Sequence, residues 1–252
     1  IFERADFTGS TWTATGAAGA GTRYAYVFIE QGSGIFMWET SVPELQSTDL
    51  DGTVAPAAHF GGGVFAGATF FGQPCVHSAD KRVYLPWDNK IARVDYGVAN
   101  ESAVLTLRAL NQIACVSEYG NYLAVAVRPA SGRGGNSSCS LWDRDSSLAT
   151  ISESLDIGSE SVHIIDTVDG ELIAISANIN IISADLNPKI VFRRFNGTGF
   201  DIFLEIEASA IFPAQVIQRE KHNNRLYFNL MATIGGVAYA GIWSLGRSSP
   251  GA

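Results

Sequence analysis

A chain of 252 residues, of which 46% are apolar, is long enough to bury a large core, and as an all-β chain it is expected to form one domain over residues 1–252. Its formal net charge of −8 and its short basic clusters, no longer than Arg193-Arg194, argue against a nucleic-acid partner. No run approaches the roughly 18 uncharged apolar residues of a membrane-spanning helix, which argues against such a span.

The first twelve residues resemble a later part of the same chain. Ile1-Phe2-Glu3-Arg4 aligns with Ile190-Val191-Phe192-Arg193, and in both places a Gly-containing turn and a second short strand follow. We therefore expect the chain to enter a repeated unit halfway and to be a segment of a longer protein.

Residues 49–53 match the residue types of a catalytic motif but lack the sequence context that its chemistry needs. Asp49-Leu50-Asp51-Gly52-Thr53 fits the DxDGT pattern of haloacid-dehalogenase-like phosphoryl-transfer enzymes, in which the first Asp is the nucleophile. That chemistry needs a buried apolar strand before the motif, whereas Leu45-Gln46-Ser47-Thr48 is mostly polar and no βαβ pattern follows. We interpret the segment as a fourth strand that ends in an Asp-Gly turn.

Turn residues followed by apolar strands recur along the chain. The turns contain Asp80, Gly120, Asp169-Gly170 and Asn223-Asn224, residue types that favour positive φ or cap a hairpin. The strands that follow repeat Val83, Leu123, Leu172 and Leu226 at separations of 40, 49 and 54 positions. Helical spacing of apolar residues is almost absent, so the chain is predicted to be all-β.

A second set of strands repeats independently of the first. Its members are Leu141–Arg144, Val191–Arg194 and Ile242–Leu245, and the separations from Trp142 to Phe192 and from Phe192 to Trp243 are 50 and 51. Ile91–Val94 and Phe36–Glu39 fit the same third-strand position of earlier units.

The second strands and the third strands repeat with comparable periods, and this repetition predicts a β-propeller of four-stranded antiparallel blades. We count five recognisable blades and an opening half-blade, about six in all. The final third strand, Ile242–Leu245, has no fourth strand after it. Two arrangements remain open: the terminal strands complete a shared blade and close the ring, or the chain is part of a larger ring. The alternative to a propeller is a sandwich with evenly spaced strands.

The cysteines Cys75, Cys115 and Cys139 are odd in number and lack CxxC spacing. We predict small buried residues rather than a disulfide pair. The sequence contains no pattern that predicts a metal or cofactor site.

The candidate binding residues are few. His77 and His163 lie in predicted first strands, which line the central channel of a propeller. Trp87, Asp88 and Asp185 lie in predicted long loops between second and third strands, where propeller hydrolases assemble their sites. Ordinary packing or hydrogen bonding is the favoured explanation for the histidines, and plain turns are the favoured explanation for the carboxylates. No catalytic residue is predicted.

At the level of single blades, the chain resembles propeller-type proteins encoded among the virion genes of tailed bacteriophages. The resemblance rests on Lys90–Gly97, Tyr122–Ala126, Leu141–Arg144, Asn223–Phe228 and Gly241–Arg247, in the second half of the chain. It implies a non-enzymatic virion component of a tail or head accessory. Its partners would be other virion proteins, further copies of itself or a host-surface glycan, and its location would be the virion or, alternatively, the extracellular space.

Two other functions remain open. One is a propeller hydrolase that acts on a glycan or ester with loop carboxylates such as Asp88, Asp185 and Asp201. The other is a carbohydrate-binding propeller whose exposed tryptophans stack on sugars. Trp142 and Trp243 repeat in register, which favours packing between blades over exposure.

Overall fold

A computed structural model gives the fold of the chain. It describes residues 3–8, 11–17, 24–31, 34–39, 44–49, 57–60, 72–79, 82–94, 103–107, 109, 111–130, 137–144, 149–150, 155–158, 161–178, 189–208, 219–222 and 224–246, with side chains for most residues from 72 onward. These residues contain 22 β-strands. The described residues include no helix that could span a membrane.

The strands fall into one hairpin and five successive units, which we call blades 1 to 5. The hairpin consists of β1 (Glu3–Thr8) and β2 (Thr11–Ala17). Blade 1 consists of β3 (Tyr24–Gln31), β4 (Gly34–Glu39), β5 (Glu44–Asp49) and β6 (Ala57–Phe60). Blade 2 consists of β7 (Cys75–His77), β8 (Arg82–Trp87), β9 (Lys90–Val94) and β10 (Ala103–Thr106).

The later blades follow the same order. Blade 3 consists of β11 (Asn111–Tyr119), β12 (Tyr122–Pro129), β13 (Ser137–Asp143), β14 (Ala149–Thr150) and β15 (Leu155–Gly158). Blade 4 consists of β16 (Ser161–Val168), β17 (Glu171–Asn178), β18 (Lys189–Phe195) and β19 (Phe200–Ala208). Blade 5 consists of β20 (Arg219–His222), β21 (Arg225–Ile234) and β22 (Val237–Leu245).

Within each blade, strands that follow one another in sequence pair antiparallel. In blade 3 the fourth position is shared, because β14 and β15 pair with different parts of β13. Blades 4 and 5 form one continuous sheet, since the end of β19 pairs with β21 at two positions beyond β20. The chain is therefore an all-β propeller of four-stranded antiparallel blades, as its repeats predict.

The tight turns between first and second strands adopt the backbone that their residues favour. Gly120 has φ +59°, Asp169 and Gly170 have +50° and +81°, and Asn224 has +58°. Left-handed backbone is accessible to Gly without strain and to Asp and Asn at a small cost, which is why these residue types recur there. The turns fix each hairpin, and the predicted second strands lie in β8, β12, β17 and β21.

The second strands of blades 2 to 4, β8, β12 and β17, are buried on both faces, because a blade packs against its neighbours. In β17, Ile173 and Ile175 pack towards blade 5, whereas Leu172 and Ala174 pack towards blade 3. This alternation follows from the two-residue repeat of a strand. Three apolar clusters join blades 2 and 3, blades 3 and 4, and blades 4 and 5. Each fully buried large side chain contributes about 1.5–3 kcal/mol of transfer free energy.

Two positions in blade 1 differ from the sequence interpretation. Phe36–Glu39 lies in β4, the second strand of its sheet and not the third. Asp49 ends β5, the third strand and not the fourth. Both predictions were wrong because the period was extrapolated from later blades, whereas the turn signal Gly32-Ser33-Gly34 directly before Ile35 indicates a second strand there. Residues 50–53 lie outside the described residues.

The strands at the two ends of the described chain do not pair with each other. β1 pairs with β2, and β22 pairs with β21. Among the described strands, the closure considered from the sequence is therefore not present.

Candidate interaction site at the inner strands

The first strands of neighbouring blades lie side by side, with β11 in contact with both β7 and β16. Just before β7, Gln73 forms a parallel bridge with Cys115. The Gln73 N–H donates to the Ala114 carbonyl at 2.9 Å, and the Val116 N–H donates to the Gln73 carbonyl at 3.0 Å. Main-chain hydrogen bonds therefore connect blade 2 to blade 3 at their inner strands, in addition to apolar packing.

Two β-bulges occur at matching places in this inner layer. The register of β11 shifts around Ala114, and that of β16 shifts around His163, 49 residues later. A bulge leaves one residue outside the ladder and turns it in a new direction. The freed His163 carbonyl accepts a hydrogen bond from Gln73 Nε2 at 3.2 Å. Gln73 thus links blade 2 to blade 4 as well as to blade 3.

His163 is buried, with 7% of its surface exposed. Burial, and secondarily the positive charge of Arg128, lowers the pKa of His163 to about 4. The imidazole is therefore uncharged at neutral pH. Its Nε2 atom has no hydrogen-bond partner among the described residues. A buried nitrogen in this state is able to bind a ligand group or an ordered water molecule. Its predicted role in binding stays a prediction.

His77, at the end of β7, has both ring nitrogens engaged. Nε2 donates to the Tyr122 carbonyl at 3.2 Å, and Nδ1 accepts from the Ala79 N–H at 3.3 Å. The ring is fully buried and lies edge-on to Tyr84 with centroids 6.3 Å apart. His77 connects blade 2 to the beginning of β12 in blade 3. A ligand at this ring would have to replace one of these hydrogen bonds.

A chain of polar contacts, here called the inner polar ladder, runs across the ends of the first strands. Its members are Ser78, Ser117, Glu118, Asp166, Thr167 and Lys221. In blade 2, Ser78 donates to the Glu118 carboxylate through its N–H at 3.0 Å and through its hydroxyl. In blade 4, the Thr167 hydroxyl donates to the Glu118 carbonyl at 2.6 Å. Glu118 of blade 3 therefore joins the blades on both sides of it.

Asp166 is the buried centre of the inner polar ladder, with 2% of its surface exposed. Its Oδ1 accepts from the Ser117 hydroxyl at 2.9 Å and from the Thr167 N–H at 2.6 Å. The ammonium group of Lys221, in blade 5, lies 3.8 Å from the same oxygen. One carboxylate thus connects three blades. Hydrogen bonds to a buried charge are stronger than those between neutral groups, so this contact fixes the blades relative to one another.

Ser117 and Asp166 are not among the residues predicted from the sequence, although the sequence contains a signal for them. The two residues are 49 positions apart, the same separation as Leu123 and Leu172 in the next strand. Each is a polar residue in an otherwise buried first strand. A polar residue at the same position of successive apolar strands predicts a contact between those strands.

The remaining candidate residues from the sequence are Trp87, Asp88 and Asp185. Trp87 is 3% exposed, so its ring is not available for stacking at the surface. Asp88, with φ +43°, forms a two-residue turn with Asn89 because Trp87 pairs with Lys90. The expected long loop is therefore absent at this position. The Asp88 carbonyl accepts from the Ile113 N–H at 2.7 Å, which links blade 2 to blade 3. Asp185 lies outside the described residues.

The three cysteines are free thiols, and Cys115 and Cys139 are buried, as predicted, whereas Cys75 is only partly buried. Burial raises the pKa of the Cys139 thiol well above its usual value; Cys115 adds to the rise and Arg193 partly opposes it. A protonated buried thiol is a poor nucleophile. The described residues contain no group of three or more His, Cys, Asp or Glu side chains arranged to hold a metal ion.

No protein-family model matches the sequence, and no curated protein is significantly similar to it. Solved structures are similar in fold. A hydrazine synthase from Kuenenia stuttgartiensis shares 12% identity over 80% of this chain and 62% of its own, with a TM-score of 0.54. A structure described as the Dos1 propeller shares 11% identity over 86% of this chain and 56% of its own, with a TM-score of 0.49.

The chain spans less than two thirds of the length of either structure. At such low identity, similarity is informative about the fold alone, because one fold carries many unrelated activities.

Proposed function

We propose that the chain is a non-enzymatic structural and interaction propeller, a component of a bacteriophage virion in a tail or head accessory. The observation that carries the structural part of this proposal is the inner polar ladder. Asp166 and Glu118, two carboxylates of the inner layer, hold neighbouring blades together. His77 does the same with both of its ring nitrogens. Polar groups used in this way stabilise a scaffold.

The outer strands supply the surface for interaction. In β19, Ile202, Phe203 and Leu204 are 52%, 39% and 40% exposed. Consecutive exposed apolar side chains on a strand are typical of a protein contact surface. We propose other virion proteins, further copies of the chain or a host-surface glycan as its partners. The virion is the proposed location, and the extracellular space is the alternative.

The phage assignment rests on the blade-level resemblance of the second half of the chain, and fractionation of particles tests it. Lysates of cells that encode the chain are separated on a density gradient, and each fraction is analysed by mass spectrometry. The chain is expected to sediment with intact particles and to remain bound after a salt wash. Recovery only from the soluble fraction would refute the virion assignment.

A hydrolase or a carbohydrate-binding propeller is the competing function. A panel of glycosides and esters distinguishes the enzyme, with Asp88→Asn as the diagnostic variant. Asn tolerates the left-handed backbone of Asp88, so the turn is retained while the carboxylate is lost. Turnover by the wild type that is lost in Asp88→Asn would overturn the non-enzymatic proposal. Binding on a glycan array without turnover would instead support a host-surface glycan as partner.

A further inference from the structure

The outer edge of β22 is unpaired among the described strands. Its inner edge pairs with β21 along its whole length, from Val237 opposite Ile234 to Leu245 opposite Leu226. In blades 1 to 4 the third strand also pairs with a strand on its outer side. A strand edge with free N–H and C=O groups is a template for another strand.

This edge lacks the usual protection against pairing. Residues 234–246 contain no charged residue and no proline, in a chain of net charge −8. Val237, Tyr239 and Ile242 are 54%, 49% and 81% exposed. Soluble proteins normally place charges or proline on exposed edges to prevent association. An uncharged, apolar edge is therefore suited to an uncharged strand, and two copies of it would not repel each other locally.

We infer that β22 pairs with β22 of a second copy of this chain, antiparallel across a two-fold axis at Gly241. The sequence of the strand is self-complementary in this register. Tyr239 lies opposite Trp243 of the second copy, and small Ala240 lies opposite large Ile242. The two Gly241 residues meet on the axis. Aromatic pairs and matched small and large side chains are the favourable cross-strand combinations. The inference is independent of the virion assignment, because it depends on the strand edge alone.

A cysteine on the axis tests the register directly. Opposed residues of antiparallel strands have Cα atoms about 4.5–5.5 Å apart, within the range that a disulfide spans. A Cβ at Gly241 would meet no atom within 4 Å, so Gly241→Cys is compatible with the fold. Under mild oxidation Gly241→Cys is expected to give a covalent dimer. The matched control, Ala238→Cys, lies opposite Ser244 and is expected to stay uncross-linked, as is the wild type.

A charge on the edge tests the association itself. Wild-type protein at tens of micromolar is expected to be a dimer by light scattering after size exclusion, and Ile242→Lys is expected to weaken the dimer at least tenfold. The control Tyr122→Lys, at an exposed position of β12 that lies in neither β19 nor β22, is expected to remain dimeric. A monomeric wild type, a dimer unaffected by Ile242→Lys, or a dimer in which Gly241→Cys does not cross-link would overturn the inference.

Discussion

Replacing His163 with Gln should remove a specific part of the acid sensitivity of the fold. The pKa of His163 is lowered from 6.5 to about 4 in the folded protein, chiefly because burial disfavours the imidazolium. In the unfolded chain the ring takes up a proton below pH 6.5, whereas in the folded chain it stays neutral until about pH 4. The contribution of His163 to the free energy of unfolding is therefore constant above pH 6.5 and decreases as the pH falls towards 4.

The size of the effect follows from proton linkage. A shift from 6.5 to about 4 corresponds to a loss of about 2 kcal/mol of unfolding free energy at pH 5 and about 3 kcal/mol at pH 4. Other groups titrate in the same range, so the informative quantity is the difference between wild type and variant.

Urea unfolding followed by tryptophan fluorescence at pH 7.5, 5 and 4 measures this difference. His163→Gln should lose about 2 kcal/mol less than the wild type between pH 7.5 and pH 5. Thr167→Val serves as the control: it removes a hydrogen bond between blades whose donor and acceptor do not titrate, and it leaves the contribution of His163 in place. Equal losses in the wild type and in His163→Gln would refute the burial argument.

Four further substitutions test the contacts between blades, each by the free energy of urea unfolding. Asp166→Ala should lower the free energy of unfolding by about 2–3 kcal/mol, because it leaves the buried Ser117 hydroxyl and the Thr167 N–H without an acceptor. Ser117→Ala should lower it by about 1 kcal/mol, and the double variant should lose less than the sum of the two single losses. A double variant whose loss equals that sum would contradict the contact. Gly72→Ala should cost at least about 2 kcal/mol, because its Cβ would overlap the Ile113 carbonyl oxygen, whereas Gly199→Ala, with open space around its Cβ, should cost less than half of that. Phe192→Ala should cost about 3–5 kcal/mol, because it is 2% exposed in the cluster between blades 4 and 5; a loss below about 1 kcal/mol would show that the cluster is not a packed core.

Local patterns were sufficient to predict the repeating part of the fold. Asp169-Gly170 and the strand after it form a hairpin for reasons contained in a few adjacent residues, namely accessible positive φ and an apolar strand on either side. A similar turn signal, Gly32-Ser33-Gly34, precedes Phe36, but that strand was assigned from the period of the later blades, and its predicted position was wrong. Strands were assigned correctly where the turn signal and the period agreed.

The candidate site was harder to predict because its contacts join residues distant in sequence. Gln73 and His163 are 90 positions apart, and their hydrogen bond exists only because a bulge turns the His163 carbonyl out of its ladder. No periodic pattern predicts a bulge at one particular residue. Asp88 was placed in a long loop, although Asp88-Asn89 consists of two residue types that favour positive φ and forms a two-residue turn between Trp87 and Lys90.

The distribution of polar and apolar groups indicates where a partner would bind. In the inner layer, Asp166, Glu118 and His77 are engaged by neighbouring blades, so a ligand there would compete with contacts that hold the fold together. On the outer strands, Ile242 and Ile202 are exposed, and burying them against a partner would disturb no internal hydrogen bond of their side chains. Binding at the outer strands therefore gains apolar burial at the smallest structural cost. We accordingly expect variants in the inner layer to change stability and variants in β19 and β22 to change association.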